Sequence, residues 1–347
     1  MSASIRPPYH TFELTRKERK KVALKTVLAK VFVALGGEHV ARWLASPSLT
    51  IIAYHRVLPD DATGILPYIG VKQGSFRDQL DFFDKHYEIV SLSDGINRLK
   101  TRNVDRPLLT ITFDDGYRDN LTLALPPLRE FGYSATVFVT TDCVEHGLPL
   151  WPDQIRSAVY TGNIDNRIIA DGAEFRIPDD ELGRIELVKT LIAYAKTLSL
   201  TERTLFLASL PEESLDIASE QIMLSWQDVR TLAANGITIG SHTNTHPILS
   251  LLPNADADRE IGSSRAVIEE HLSNRCDLFA YPNGTVSDFT DEHVSQLKKA
   301  GYSGAVTTMR GINKNGADLF RLRRTGIYGT DDLDVVRTKL AIELLIS

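Results

Sequence analysis

The sequence predicts an α/β fold: a parallel sheet closed into a barrel of seven or eight strands, each followed by a helix. Short apolar runs alternate with helix-length segments along most of the chain, and parallel neighbours need such crossover helices. The polar residues best suited to chemistry stand at the C-terminal ends of the apolar runs, where parallel barrels gather their sites. At 347 residues and 43% hydrophobic content the chain is large enough for one barrel with additions.

Residues 1–47 read as a basic amphipathic helical segment, in which Leu24, Val27, Leu28, Val31, Phe32 and Leu35 share one helical face. Leu49 to His55 reads as a strand ending in a histidine, Ser75 to His86 as a helix, and Tyr87 to Leu92 as a short strand. Ser93 caps a helix running to about Thr101, and the strand Leu108–Phe113 follows. Leu121 to Phe131 reads as helix despite Pro126-Pro127, and Ser134 to Thr140 as a buried strand. Residues 141–222 show no strong strand runs, and Asp179 to Leu210 is dominated by helix formers. A helical insertion between two barrel strands is expected there. Alternation then resumes. Ser225–Asn235 is helix, 236–241 strand, Ala257–Leu272 helix and 277–284 a strand with its end. Thr290–Ala300 is helix, Tyr302–Thr308 strand, Arg323–Tyr328 the last strand and Asp331–Ile346 the last helix. The barrel is thus expected over 48–347.

The net charge of −6 argues against a general nucleic-acid binder. It conceals an asymmetry: residues 1–45 carry nine Lys/Arg against three Glu, leaving about −12 for the rest. A basic amphipathic helix either docks on its own domain or rests on an anionic membrane surface. Lys25 and Lys30 interrupt the apolar run, so no secretory signal is expected, and no run approaches a transmembrane span. The expected location is cytoplasmic or peripheral to the membrane. Cys143 and Cys276 have no CxxC spacing and suggest neither a disulfide framework nor a cysteine metal site.

The run Leu108–Phe113 ends in Asp114-Asp115-Gly116. Successive strand side chains face opposite ways, and the glycine lets the chain turn, so the two carboxylates can aim differently at one site. One can bind a metal while the other handles a proton. The second run ends in Ser241-His242-Thr243-Asn244-Thr245-His246, two imidazoles four residues apart. One Asp and two His form a ligand set that leaves positions open for water and substrate.

Thr112-Phe113-Asp114-Asp115-Gly116, His242-Thr243-Asn244-Thr245-His246 and Tyr281-Pro282-Asn283-Gly284, in that order, resemble the first three motifs of the polysaccharide deacetylases. That family is carbohydrate esterase family 4, with the NodB homology domain. The resemblance runs from about Leu49 to Tyr328 and implies a distorted (β/α)7 barrel. It also implies Asp114 as general base, with Asp115, His242 and His246 as ligands of one divalent ion, Zn²⁺ first among candidates. Two positions depart from the family pattern. Ala280 stands where many members carry an arginine that braces the catalytic aspartate, which makes Arg324, among Arg321, Arg323 and Arg324, the candidate brace. No late Leu-x-x-His motif is present, so His55 is the candidate acid, in the manner of the exopolysaccharide branch with its N-terminal Tyr-His segment.

These residue types suit amide hydrolysis: a metal activates water and carbonyl, Asp114 takes a proton, and His55 gives one to the departing nitrogen. The Asn283 main-chain N–H is a candidate oxyanion donor, with Tyr281 in support. Trp151 is either a sugar-stacking platform or a buried anchor. The expected activity is removal of the N-acetyl group from an amino sugar in a polysaccharide or glycolipid. The alternatives are a deformylase or another hydrolase of non-peptide C–N bonds, and a carbohydrate-binding pseudoenzyme.

Overall fold

The computed structural model describes residues 16–62, 69–161, 167–170, 173–210 and 222–346; Arg6 and His10 lie outside them. Helices α1 (Arg16–Ala34) and α2 (Gly37–Leu44) precede strand β1 (Leu49–Tyr54). Then come β2 (Arg56–Leu58), β3 (Gly70–Lys72), α3 (Gln73–His86), β4 (Glu88–Ile89), α4 (Leu92–Lys100) and β5 (Leu108–Phe113). A π-helical turn, Asn120–Ala124, leads into α5 (Leu125–Phe131), followed by β6 (Thr136–Val139). The next stretch holds α6 (Thr141–His146), α7 (Trp151–Thr161), β7 (Arg167–Ala170), β8 (Ala173–Arg176), α8 (Glu181–Thr197) and α9 (Leu200–Ala208). The chain continues through α10 (Trp226–Ala234), β9 (Thr238–Ser241), α11 (Asn254–Leu272), β10 (Leu278–Ala280) and α12 (Asp291–Ala300). It ends with β11 (Gly304–Val306), β12 (Thr325–Gly326) and α13 (Leu333–Ile346).

The main sheet has the order β11-β10-β9-β6-β5-β1-β12, with β4 also on β5, and every pairing in it is parallel. Beyond β11, Val306 bridges Leu322, just before β12. The ends of the path therefore meet through one bridged residue and not a full strand pair, which gives a distorted (β/α)7 barrel. Helices cover the outside, so β1 and β5 are buried at every position and read as continuous apolar runs without alternation.

Local features differ from the sequence expectation. The cap of α4 is Ser91, whose hydroxyl accepts from the Asp94 N–H, and not Ser93, which lies inside the helix. The 141–222 stretch contains an antiparallel hairpin, β7 on β8, as well as helices. Its alternation spans only four residues per strand, too short to stand out. The helix expected over Leu121–Phe131 begins as a π-turn, because Pro126 and Pro127 have no N–H for the preceding carbonyls; the Gln73 side chain donates instead to the Leu123 carbonyl, 3.3 Å. The pair β2–β3 was not anticipated either; it bonds outside the main sheet.

The N-terminal helix docks on the barrel, but not through its apolar face. Ala29 is buried, while Leu24, Val27, Leu28, Val31 and Leu35 are each more than half exposed. Ion pairs tie this region down: Lys25 pairs with Asp331, just before α13, at 2.6 Å, and the buried Glu38 of α2 pairs with Arg337 of α13. Cys143 and Cys276 are buried free thiols. Among the described residues no helix is long and apolar enough to cross a membrane.

Candidate active site

The register of β1, β5, β6 and β9 brings their C-terminal ends to one mouth. Asp114 follows β5, and its N–H donates to the Tyr54 carbonyl at the end of β1, 3.0 Å. Asp115 and Gly116 both take positive φ, 77° and 85°, which turns the chain sharply and separates the two carboxylates. A side chain at Gly116 would also press on Val139 of β6, 3.3 Å away. Thr243, His246 and Asn283 are positive-φ residues at the same mouth. Strained backbone concentrates where three loops deliver functional groups.

Asp115, His242 and His246 present ligand atoms that all lie within 4.8 Å of one another. Each histidine Nε2 is 3.5 Å from Asp115 Oδ1. For bonds of ~2.1 Å at tetrahedral angles, ligand atoms stand ~3.4 Å apart, which the two Asp–His distances match. His242 Nδ1 lies 2.8 Å from the Ala280 carbonyl, which assigns the proton to Nδ1 and leaves Nε2 free to ligate. Burial opposes ionisation of Asp115, but the surrounding imidazoles of His242, His55 and His246 hold its carboxyl well below the usual range. Burial is the largest cause that lowers the His246 imidazole pKa, to about 3.

The loop carrying the histidines is fixed by a residue with no sequence signal. Glu260 on α11 accepts from the N–H groups of Asn244 and Thr245, 2.8 and 2.9 Å, and from the Thr245 hydroxyl, 2.7 Å. Trp151 is buried; its indole N–H donates to the His246 carbonyl at 3.2 Å, and Arg203 lies 5.0 Å over its ring. It anchors the loop that carries His246 and also lines the cavity at this mouth.

Of the three C-terminal arginines, Arg324 reaches Asp114. Its guanidinium donates to both carboxylate oxygens, 2.8 and 2.7 Å, and also to Thr112 Oγ1 and the Thr307 carbonyl. Both partners are almost fully buried. Burial disfavours the charged carboxylate, but the Arg324 guanidinium together with the His242 and His55 imidazoles outweighs it, so the Asp114 pKa falls below its ordinary value. Arg321 bonds Asp318, and Arg323 donates to the Arg310 carbonyl.

His55 sits between β1 and β2. Its carbonyl accepts from Asn120, 2.9 Å, and the next residue, Arg56, pairs with Asp119 at 2.7 Å. The segment just after the Asp pair thus pins the histidine. The imidazole lines the same cavity as Asp114, Asp115, His242 and His246. Its buried Nδ1 has no hydrogen-bond partner among the described residues.

Asn283 also lines this cavity, at φ 60°. Its side chain bonds Asp288 and Lys196, 2.6 and 2.8 Å, and its carbonyl accepts from Thr308. None of these bonds uses its main-chain N–H. Tyr281 commits its hydroxyl to the Phe320 carbonyl, 3.1 Å, and stacks on Phe289, so it braces the strand end. Lys196, on α8 of the 141–222 stretch, was missed from sequence; a single lysine on a helical face looks like any solvated one.

A family model described as polysaccharide deacetylase matches residues 101–166 and 202–305. The chain belongs to the polysaccharide deacetylase family. As a family member it is assigned to hydrolases acting on amide bonds of N-acetylated carbohydrate. YxkH of Bacillus subtilis (strain 168), whose name carries a provisional polysaccharide deacetylase assignment, is 20% identical over 319 residues, 90% of this chain and 83% of its own. Among solved structures, the deacetylase PplD of Streptococcus pyogenes, in complex with acetate, is 17% identical with a TM-score of 0.57, covering 85% of this chain and 99% of its own. IcaB from Ammonifex degensii is 19% identical with a TM-score of 0.56, covering 86% and 98%. At these identities the structural neighbours speak for the fold.

Proposed function

We propose that this deacetylase hydrolyses the N-acetyl group of an amino sugar, in a polysaccharide or glycolipid, with a divalent ion held by Asp115, His242 and His246. The observation that carries the reading is the buried Asp-His-His cluster beside a second aspartate clamped by Arg324. Zn²⁺ suits two imidazoles and one carboxylate. Such an ion supplies Lewis acidity toward water and toward the amide carbonyl.

The chain's own residues do the rest. Asp114, held ionised by Arg324, takes a proton from the attacking water. His55, with its Nδ1 unpartnered, gives a proton to the departing nitrogen. The Asn283 N–H faces the oxygen that gains charge. Water's oxygen ends on the acyl carbon, the C–N bond breaks, and the amine leaves protonated. Arg324 fills the bracing role that Ala280 cannot, which argues against a pseudoenzyme. The unit carrying this chemistry is residues 48–347, with 141–222 inserted; residues 1–47 are a basic N-terminal segment whose helix α1 is tied to that unit by the Lys25–Asp331 pair and whose outer face offers a peripheral membrane contact.

The test is metal content together with acetate release from N-acetylglucosamine oligomers, with N-formyl analogues alongside. One ion per chain and chelator-sensitive release are expected. Full activity in a metal-free sample would sink the assignment, and faster loss of formyl than of acetyl would favour a deformylase.

A further inference from the structure

Three adjoining cavities run from the metal cluster to the α1–α13 face. The metal-side cavity, about 410 Å³, shares His55, Asp114 and Thr308 with a second chamber of about 210 Å³. That chamber shares Lys25, Arg310 and Lys339 with a groove of about 610 Å³. The groove walls are mainly apolar: Leu24, Leu28, Ala29 and Phe32 of α1 face Val335 and Ile342 of α13. Neither helix belongs to the sheet, and a deacetylase acting on a soluble sugar needs no apolar channel beside its base.

The middle chamber is cationic. Arg324 is neutralised by Asp114, and Arg310 contacts Glu343 at 3.2 Å. Lys25 and Lys339 share one carboxylate, Asp331. Four cations thus meet three carboxylates, and the exposed Lys21 adds another positive charge at the groove. Lys25 is 44% exposed and Arg310 63%, so both can turn toward a ligand.

We propose that the substrate is an N-acyl amino sugar linked through phosphate to a long hydrocarbon chain. The chain lies in the α1–α13 groove, the phosphate between Lys25, Arg310 and Lys339, and the sugar amide at the metal cluster beyond Asp114. This inference rests on the deacetylase reading and names its substrate class. The order apolar groove, cationic chamber, hydrolytic site matches the order of parts in such a molecule. A neutral polymer has no use for the first two.

Dodecyl phosphate below its micelle concentration is the binding probe, measured by calorimetry on the full chain. Saturable binding is expected, at least ~100-fold tighter than butyl phosphate, since each buried methylene is worth roughly three- to fourfold. Leu24→Asp with Leu28→Asp, both exposed, should abolish that preference. Arg310→Glu should weaken dodecyl phosphate at least tenfold. In turnover, a dodecyl-phosphate-linked N-acetylglucosamine should exceed the methyl-phosphate analogue in kcat/KM, and the double variant should equalise the two. Acetate release from oligomers without dodecyl phosphate binding overturns the lipid inference and leaves the deacetylase standing. Binding with no turnover of any N-acyl sugar does the reverse. Adhesion to anionic vesicles without binding of the monomeric probe makes the face an attachment surface only, and overturns the substrate assignment.

Discussion

At the barrel mouth, charged groups are buried and matched; on the face formed by α1, α2 and α13, apolar groups stand in water. Asp114, Asp115 and Arg324 are nearly inaccessible and have named partners. Trp43 is 83% exposed, and Leu35 80%. A buried ion pair adds little net stability, because desolvation offsets the attraction, yet breaking one is costly. An exposed leucine adds nothing to the fold it decorates. Both regions therefore depart from what stability alone would select, in opposite directions, and function is the common explanation.

The largest effect belongs to the ligand set. His242→Ala or Asp115→Asn should remove the ion and bring turnover to background, by metal analysis and acetate release. Asp114→Asn should keep the ion while losing roughly 10²–10⁴-fold in rate. Equal loss of metal in Asp114→Asn and Asp115→Asn would reverse the roles assigned to the two carboxylates.

Next is the Arg324–Asp114 clamp. Arg324→Met leaves a carboxylate unpaired in the interior, at a cost of about 3–5 kcal/mol in denaturant unfolding. Pairing it with Asp114→Leu removes both charges and should recover most of that loss while activity stays absent. A double variant as unstable as the single one would mean that the guanidinium holds Thr112 and Thr307 more than it holds the carboxylate.

This clamp also marks where the sequence stops being legible. The Asp pair and the histidine pair can be read because each is local: an apolar strand followed by a polar turn. Arg324 could be read only as one of three arginines, since its partner lies 210 positions away and strand register alone brings them together. Glu260 and Lys196 gave no signal, because a helical Glu or Lys looks the same whether it braces a loop or meets solvent. Hairpin β7–β8 was lost because four residues per strand give too little alternation to stand out. On α1, the apolar periodicity reads as a face, but periodicity does not say whether a face is buried. Ala29 and Lys25 carry the docking, and the leucines do not.

A smaller, more selective effect is expected at His55. Its proton matters where the leaving group is poor, so His55→Ala should keep the ion, lose release from N-acetyl sugars, and partly retain hydrolysis of an aryl acetate, which departs without protonation. Equal losses on both substrates would contradict the acid role.

The smallest expected effect tests the comparison within one helix. On α13, Leu340 is 2% exposed and packs in the main core, while Ile346 is 76% exposed. Leu340→Ala should cost about 2–5 kcal/mol, because the cavity it leaves is lined by groups held in place by the sheet. Ile346→Ser and Trp43→Ser should stay within about 0.5 kcal/mol, since neither side chain leaves water on folding. If the exposed residues serve contact with lipid, the same two variants should weaken adhesion to anionic vesicles while leaving the denaturation midpoint unmoved. A midpoint that falls with Trp43→Ser as far as with Leu340→Ala would mean that the face is covered within the folded protein, and the contrast between mouth and face would vanish.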